Sequence, residues 1–326
     1  MKTNRILAAL LLIVLVFSLT ACGKKKDDGT LNVVIIKQLD HASLDEIAAA
    51  IEEKLLELAD EQGKDIDILT VSGQNDPTIL KQLADQATAD NADVIIPIAT
   101  LAAQVTTSAA EKYGTPVVFA AISDPEGAGL TGLKNVTGTS DALNTATIID
   151  MMLSVDPGLK KVGLLYSLSE TNSELPIREA KEILGQKGIE VVEATANTPD
   201  EVITGASFLV QSGVEAVFTP TDNVIMSAEL AIYETLRDAG IPHYAGADSF
   251  VRNGAFATCG VNYTDLGHRT AELAFEAAAG GSDLRDFYLM DGGIVTVNTE
   301  TAAVLNVDYS SLRSFGEVVE VITTED

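Results

Sequence analysis

From residue 31 onward, short runs of β-branched and aliphatic residues alternate with longer segments in which apolar residues recur every three or four positions. Short apolar runs bounded by turn residues read as strands buried on both faces, and the three-to-four spacing reads as amphipathic helix. Segments 31–36, 67–71, 94–98 and 117–122 make a first series of strands, with helices at 44–58 and 78–87 among them. Strand–helix–strand units join their strands in parallel and cover both faces of the sheet with helices, so the fold class is α/β. The stretch 135–139 interrupts the rhythm. A second series follows, with strands at 161–166, 190–193, 216–219 and 243–246 and helices at 174–187, 200–212 and 225–239. A last strand, 257–263, precedes an amphipathic helix at 265–279. Two such series in a chain of 326 residues exceed one hydrophobic core and predict two doubly wound parallel-sheet lobes with a cleft between them.

The N-terminus predicts the compartment. Lys2 and Arg5 precede an apolar run over 6–17, and Leu19-Thr20-Ala21-Cys22 follows. This is the plan of a signal peptide, here 1–21, and its apolar run is shorter than the about 20 residues of a spanning helix. Cysteine directly after the small residues resembles the bacterial lipobox, in which Cys22 carries lipid and becomes the mature N-terminus. Residues 22–30 then form a polar tether. Cys259 is the second of two cysteines, so a lipidated Cys22 leaves no intramolecular disulfide. A net charge of −27 argues against nucleic acid, which needs basic patches.

Ligands of open α/β sheets sit beyond the carboxyl ends of the strands, so the loops after each strand are where binding residues are sought. After the first strand, Ser43 with Glu46 reads as a capping box, while Asp40 and His41 have no such duty and face an approaching ligand. Thr100 follows the third strand as an N-cap, at a helix end suited to a carboxylate. Ser123 and Asp124 follow the fourth, where Asp124 also suits a turn. Ser169, Glu170, Asn172 and Ser173 form a loop with more hydrogen-bonding side chains than one cap needs. Asp222, Asn223 and Asp248 end later strands, and Asp222 and Asp248 are the acids placed to meet an ammonium group, with capping the structural alternative. Of the aromatics near strand ends, one or two of Phe119, Tyr166, Phe250 and Tyr263 are expected to face the ligand.

No HExxH, CxxC, G-x-S-x-G or Walker pattern occurs, and the three histidines are scattered. The chain reads as a binding protein without catalytic residues, metal or cofactor.

Taken in order, segments 38–45, 98–104, 123–128, 170–173, 220–223 and 260–267 resemble the ABC-transporter substrate-binding lipoproteins that include tryptophan- and phenylalanine-binding members, over about 32–307. The resemblance implies a type I periplasmic-binding-protein fold. Its three crossovers would lie near 137–142, 261–263 and 288–293, with one lobe from 31–139 plus 262–287 and the other from 140–261 plus 288–326. It also implies a permease and its ATPase as partners, a lipid-anchored monomer outside the cytoplasm, and an aromatic or other apolar amino acid as ligand. The alternatives are a sugar, nucleoside or other solute on the same fold, a receptor for a signalling partner, and an enzyme on this fold.

Overall fold

The structure, a computed structural model, describes residues 29–280 and 285–324. The signal segment, Cys22 and most of the tether lie outside the described residues.

The chain first lays down β1 (Leu31–Lys37), α1 (Ala42–Gln62), β2 (Ile66–Ser72), α2 (Pro77–Ala89), β3 (Val94–Ile98), α3 (Thr100–Ala110), β4 (Val117–Phe119) and β5 (Val136–Ser140). It then crosses to a second body: α4 (Thr145–Val155), β6 (Lys161–Tyr166), α5 (Thr171–Gln186), β7 (Glu190–Thr195), α6 (Pro199–Gln211), β8 (Ala216–Thr219), α7 (Asn223–Met226), α8 (Glu229–Asp238), β9 (His243–Ala245), α9 (Asp248–Arg252) and β10 (Ala257–Gly260). It returns for α10 (Tyr263–Ala278) and β11 (Tyr288–Leu289). It crosses again for β12 (Ile294–Asn298), α11 (Thr299–Leu305) and β13 (Glu317–Val321). The first sheet has the order β11-β5-β4-β3-β1-β2 and the second β13-β12-β10-β9-β8-β6-β7. The passages between them are 141–144, 261–262 and 290–293. Tyr288 and Leu289 pair with Thr139 and Ser140, so the first sheet runs two residues past the boundary expected at 287.

Local chemistry sets the element ends. Pro77 opens α2 at a position whose N–H would be free in any case, and the Asp76 side chain accepts from the N–H groups of Thr78 at 2.7 Å and Ile79 at 3.3 Å. Helix α1 stops at Gly63, held at φ +61°. The strand expected at 117–122 ends at Phe119 because Ala121 turns the chain at φ +56°. The helix expected at 225–239 is split, with the Ser227 hydroxyl donating to the Val224 carbonyl at 2.7 Å near the break. The strand expected to reach 263 ends at Gly260, and Asn262 caps α10 by accepting from the Asp265 N–H at 2.8 Å.

Two differences from the sequence reading are larger. The break at 135–139 is strand β5, wholly buried, and its Gly138 is required by packing. A Cβ there would lie 2.1 Å from the Phe119 carbonyl oxygen. The second sheet is also not all parallel, since β12 runs antiparallel to β10 with Ile294 opposite Gly260. A strand that enters from the cleft end, where β10 finishes, has to run the other way.

Apolar helix faces close over both sheets. Ile47, Ile51 and Leu55 of α1 are fully buried, and α10 packs directly on that helix. Gly267 permits the approach, for a Cβ there would come 2.6 Å from the Ala50 Cβ and 2.9 Å from the Ile47 carbonyl oxygen. Every strand of the first sheet is parallel, so its carboxyl ends share one edge, and this edge faces the corresponding edge of the second sheet. No helix among the described residues is long and apolar enough to cross a membrane.

Candidate functional site

Where the two strand edges meet, four side-chain contacts tie the lobes. Gln38 Nε2 donates to Glu170 Oε1 at 2.7 Å, His41 Nε2 lies 3.1 Å from Asn223 Oδ1, Ser123 Oγ lies 2.9 Å from Thr221 Oγ1, and the hydroxyls of Ser43 and Ser249 touch. A neutral hydrogen bond contributes about 0.5–1.5 kcal/mol net, so the set holds a closed arrangement without making it permanent. Between the lobes these contacts enclose a cavity of about 20 Å³. That is room for about one water, against the roughly 300 Å³ or more of a ligand pocket. Anything larger enters only when the lobes part.

Helices α1, α3, α5 and α10 all begin at this cavity, aiming the positive ends of their dipoles toward it. The polar wall comprises His41, Ser43, Thr100, Ser123, Asp141, Asn172, Thr221, Asp222 and Asn223, while Leu44, Met226, Phe250 and Tyr263 supply apolar surface. Among the described residues, no lysine or arginine lines it. Ala99 precedes α3 at φ +75°, ψ 163°, a conformation of glycine rather than of residues with a Cβ, so backbone strain is stored at the cavity wall.

The expected site residues divide sharply. His41, Thr100, Ser123, Asn172, Asp222 and Asn223 line the cavity. Asp40 does not. It is exposed and bonded to Lys37 at 2.7 Å and Gln74 at 2.8 Å, and the Lys37 ammonium holds its carboxyl below the usual range. Asp124 accepts from the Gly127 N–H at 2.9 Å and closes its own turn. Ser169 is exposed, and its hydroxyl lies 2.7 Å from that of Ser167. Ser173 is buried behind the wall and donates to Asp222 Oδ2 at 2.7 Å.

Two caps are reassigned. Ser43 lies inside α1 and reaches across to Ser249, while Glu46 accepts from Thr264 at 3.0 Å, so the capping box does not form. Thr100 is the first residue of α3, whose cap is Ala99. The free Leu101 N–H is met instead by Gln38 Oε1 at 3.0 Å, from a neighbouring strand end. Gln38 was legible as polar at a strand end, yet its role depends on a contact 63 residues away.

The acids expected to meet an ammonium are engaged by other partners, with one oxygen of Asp248 left buried without one. Asp222 caps α7, accepting from Val224 and Ile225 at 3.0 and 3.1 Å, and also takes donors from Ser167 N–H and Ser173, both at 2.7 Å. All its strong acceptor positions are used. Asp248 pairs with Arg252 at 3.0 Å, and its neighbours Ala247 and Phe250 line the cavity in its place. The acid missed by the sequence reading is Asp141, first residue of the crossover after β5. It is 5 % exposed and accepts one hydrogen bond at each oxygen, from Ser123 Oγ at 3.0 Å and Tyr263 O–H at 3.1 Å. Burial pushes its carboxyl above the usual range, and burial with the Asp141 charge raises the Tyr263 phenol in turn. Of the four aromatics, Phe250 and Tyr263 line the cavity, Phe119 is buried in the first lobe, and Tyr166 donates to Glu193 at 2.8 Å.

This arrangement is that of known binding proteins. Residues 32–312 match the family described as ABC transporter substrate binding protein. The tyrosine-binding protein of Clostridioides difficile (strain R20291) is 31% identical over 326 residues, covering 94% of this chain and 91% of that protein. An ABC domain from Streptococcus pneumonia in complex with L-Trp superposes with a TM-score of 0.80 at 28% identity, over 89% of this chain and 100% of that one. The ligand-free, open structure of a substrate binding protein with adhesive properties from Clostridium difficile also has 28% identity, over 90% and 100%, but its TM-score is 0.66. At equal identity, the poorer overlay on the open form agrees with the closed contacts described above. Built as two α/β lobes on the type I periplasmic-binding plan, the chain belongs to the ABC transporter substrate-binding protein family.

Proposed function

We propose that this protein captures an amino acid with an aromatic side chain between its lobes, outside the cytoplasm, and delivers it to an ABC permease driven by its ATPase. The observation that carries the ligand class is Asp141. It is a buried carboxylate on the cavity wall with no cation beside it among the described residues, and burying a charge in this way is costly unless a partner arrives. An α-ammonium group supplies that partner. The ligand's carboxylate turns to the N-terminal amides of α3 beside Thr100, where the dipole favours an anion and no basic side chain is needed. Leu44, Met226, Phe250 and Tyr263 receive the apolar ring. Kinship with tyrosine- and L-Trp-binding proteins supports the same class. The role is binding, without a chemical step.

The test is a thermal-shift screen of the domain from residue 29 against amino acids, sugars and nucleosides. Tyrosine, tryptophan or phenylalanine should raise the melting temperature, with stabilisation of about 2.7 kcal/mol at a hundredfold excess over Kd. A sugar or nucleoside that raises it while all three leave it unmoved would reject the assignment. The anchor is Cys22: Cys22→Ala should abolish lipid labelling and release the protein from the membrane fraction. We infer a monomer in solution.

A further inference from the structure

The lobe contact brings together two titratable groups, one from each lobe, and among the described residues neither makes a salt bridge. Glu170, 3 % exposed, accepts from Gln38 Nε2 at 2.7 Å and from Asn223 Nδ2 at 2.6 Å. His41 reaches the same Asn223 through Nε2, and its Nδ1 is buried with no partner. One amide therefore joins a carboxyl to an imidazole. Nε2–H donates to Asn223 Oδ1 and Nδ1 is bare, so the imidazole is neutral. A second proton on Nδ1 would be a buried donor with nothing to accept it. Gln38 cannot turn, because its Oε1 accepts from the Leu101 N–H. Asn223 can. Turned over, it offers Oδ1 to a protonated Glu170 and Nδ2 to an unprotonated Nε2, which keeps both groups neutral but moves the imidazole proton to Nδ1, where it has no acceptor. The Asn172 side chain also lies beside this carboxyl, and its buried Oδ1 has no partner.

We propose that closure of the lobes discharges this pair: His41 gives up a proton and Glu170 takes one, so charges of +1 and −1 become zero and zero. Between about pH 4.5 and 6.5, where the open pair is charged, proton count and net charge are conserved, and neither ion has to be buried. The remaining charges work the same way. On the Glu170 side, the nearby Asp222 carboxyl opposes a second anion. On the His41 side, Asp40 and Asp45 are offset by Lys37, which ion-pairs with both. Burial, and then Asp222, push the closed Glu170 carboxyl up to about 7 from its ordinary 4.5, and burial pushes His41 below its ordinary 6.5. Glu170 alone makes closure easier as pH falls from about 7 to 4.5, whereas His41 alone makes closure harder as pH falls below about 6.5. Together they nearly cancel.

The inference rests on the ligand reading above, and two separate measurements keep the two apart. In the first, L-tyrosine, L-tryptophan and L-phenylalanine are titrated into the protein by calorimetry between pH 8 and 5.5. Wild-type affinity should stay within about threefold, Glu170→Gln should lose roughly tenfold on acidification, and His41→Gln should gain roughly thirtyfold. Variants with parallel pH profiles would overturn the proposal. No binding by any of the three would reject the ligand reading alone. In the second measurement, a Ser43→Cys/Ser249→Cys disulfide locks the lobes shut without ligand. Nitrogen-15 NMR should then find His41 neutral at pH 5.5, while the reduced, open protein shows imidazolium. A charged His41 in the locked protein would overturn the proposal whatever the ligand.

Discussion

Asp141 carries opposite consequences for stability and for binding. Its carboxyl is raised by burial, so carrying its charge, or binding a proton in its place, costs the folded protein stability at every pH above the carboxyl's ordinary range. Asp141→Asn removes that charge and keeps an oxygen for Ser123 to donate to. Its melting temperature at pH 7 should rise in the absence of ligand, while affinity for an aromatic amino acid should fall about a hundredfold or more by calorimetry. A fall in both would mark Asp141 as merely structural. The sequence showed polar residues at every strand end, but it did not show which acids were already spoken for. Asp222 and Asp248 look like Asp141 in one dimension. What separates them is the company they keep: Ser167, Ser173 and two helix N–H groups at Asp222, and Arg252 at Asp248. Only Ser167 and Ser173 are far from their partner in sequence, and neither could be read from spacing.

At the scale of elements, the strands that alternate cleanly with helices were legible because both periods are strong. Segment 135–139 was not, since threonine and glycine carry a weak apolar signal even in a strand buried on every residue. The α1–α10 contact is the clearest test of what a short side chain permits. Gly267→Val pushes a branched Cβ against Ala50 and the Ile47 carbonyl and should cost about 1–3 kcal/mol in urea unfolding. Gly185, exposed in α5 with open space around its Cβ position, is the contrasting case. Gly185→Ala should stabilise by about 0.5–1 kcal/mol, because alanine is the better helix former and restricts the unfolded chain. If both substitutions destabilise alike, close packing at Gly267 is not the reason for glycine there.

For the whole molecule, a cavity of about 20 Å³ means that uptake requires the lobes to part. The hydroxyls of Ser43 and Ser249 touch across the cleft, so side-chain tips at these two positions lie within reach of each other. The oxidised double-cysteine variant should show no heat with L-tyrosine or L-tryptophan and recover binding on reduction. Binding by the oxidised form would mean that ligand enters by a route other than the cleft.

The threading of the chain also governs how it comes to be folded. Thr264 on α10 bonds to Glu46 on α1 across 218 residues, and β11 joins the first sheet later still. As the chain emerges N-terminus first, the first lobe has three of its four helices and five of its six strands waiting while the entire second series passes. Until α10 arrives, the side of α1 at Ala50 lacks the helix it packs on. Closing so long a loop adds only slowly to the entropic cost, but non-local pairing of this kind slows folding. The second lobe waits as well, for β12 and β13. A chain released before residue 263 would therefore complete neither lobe, and its half-finished sheets would be prone to aggregation.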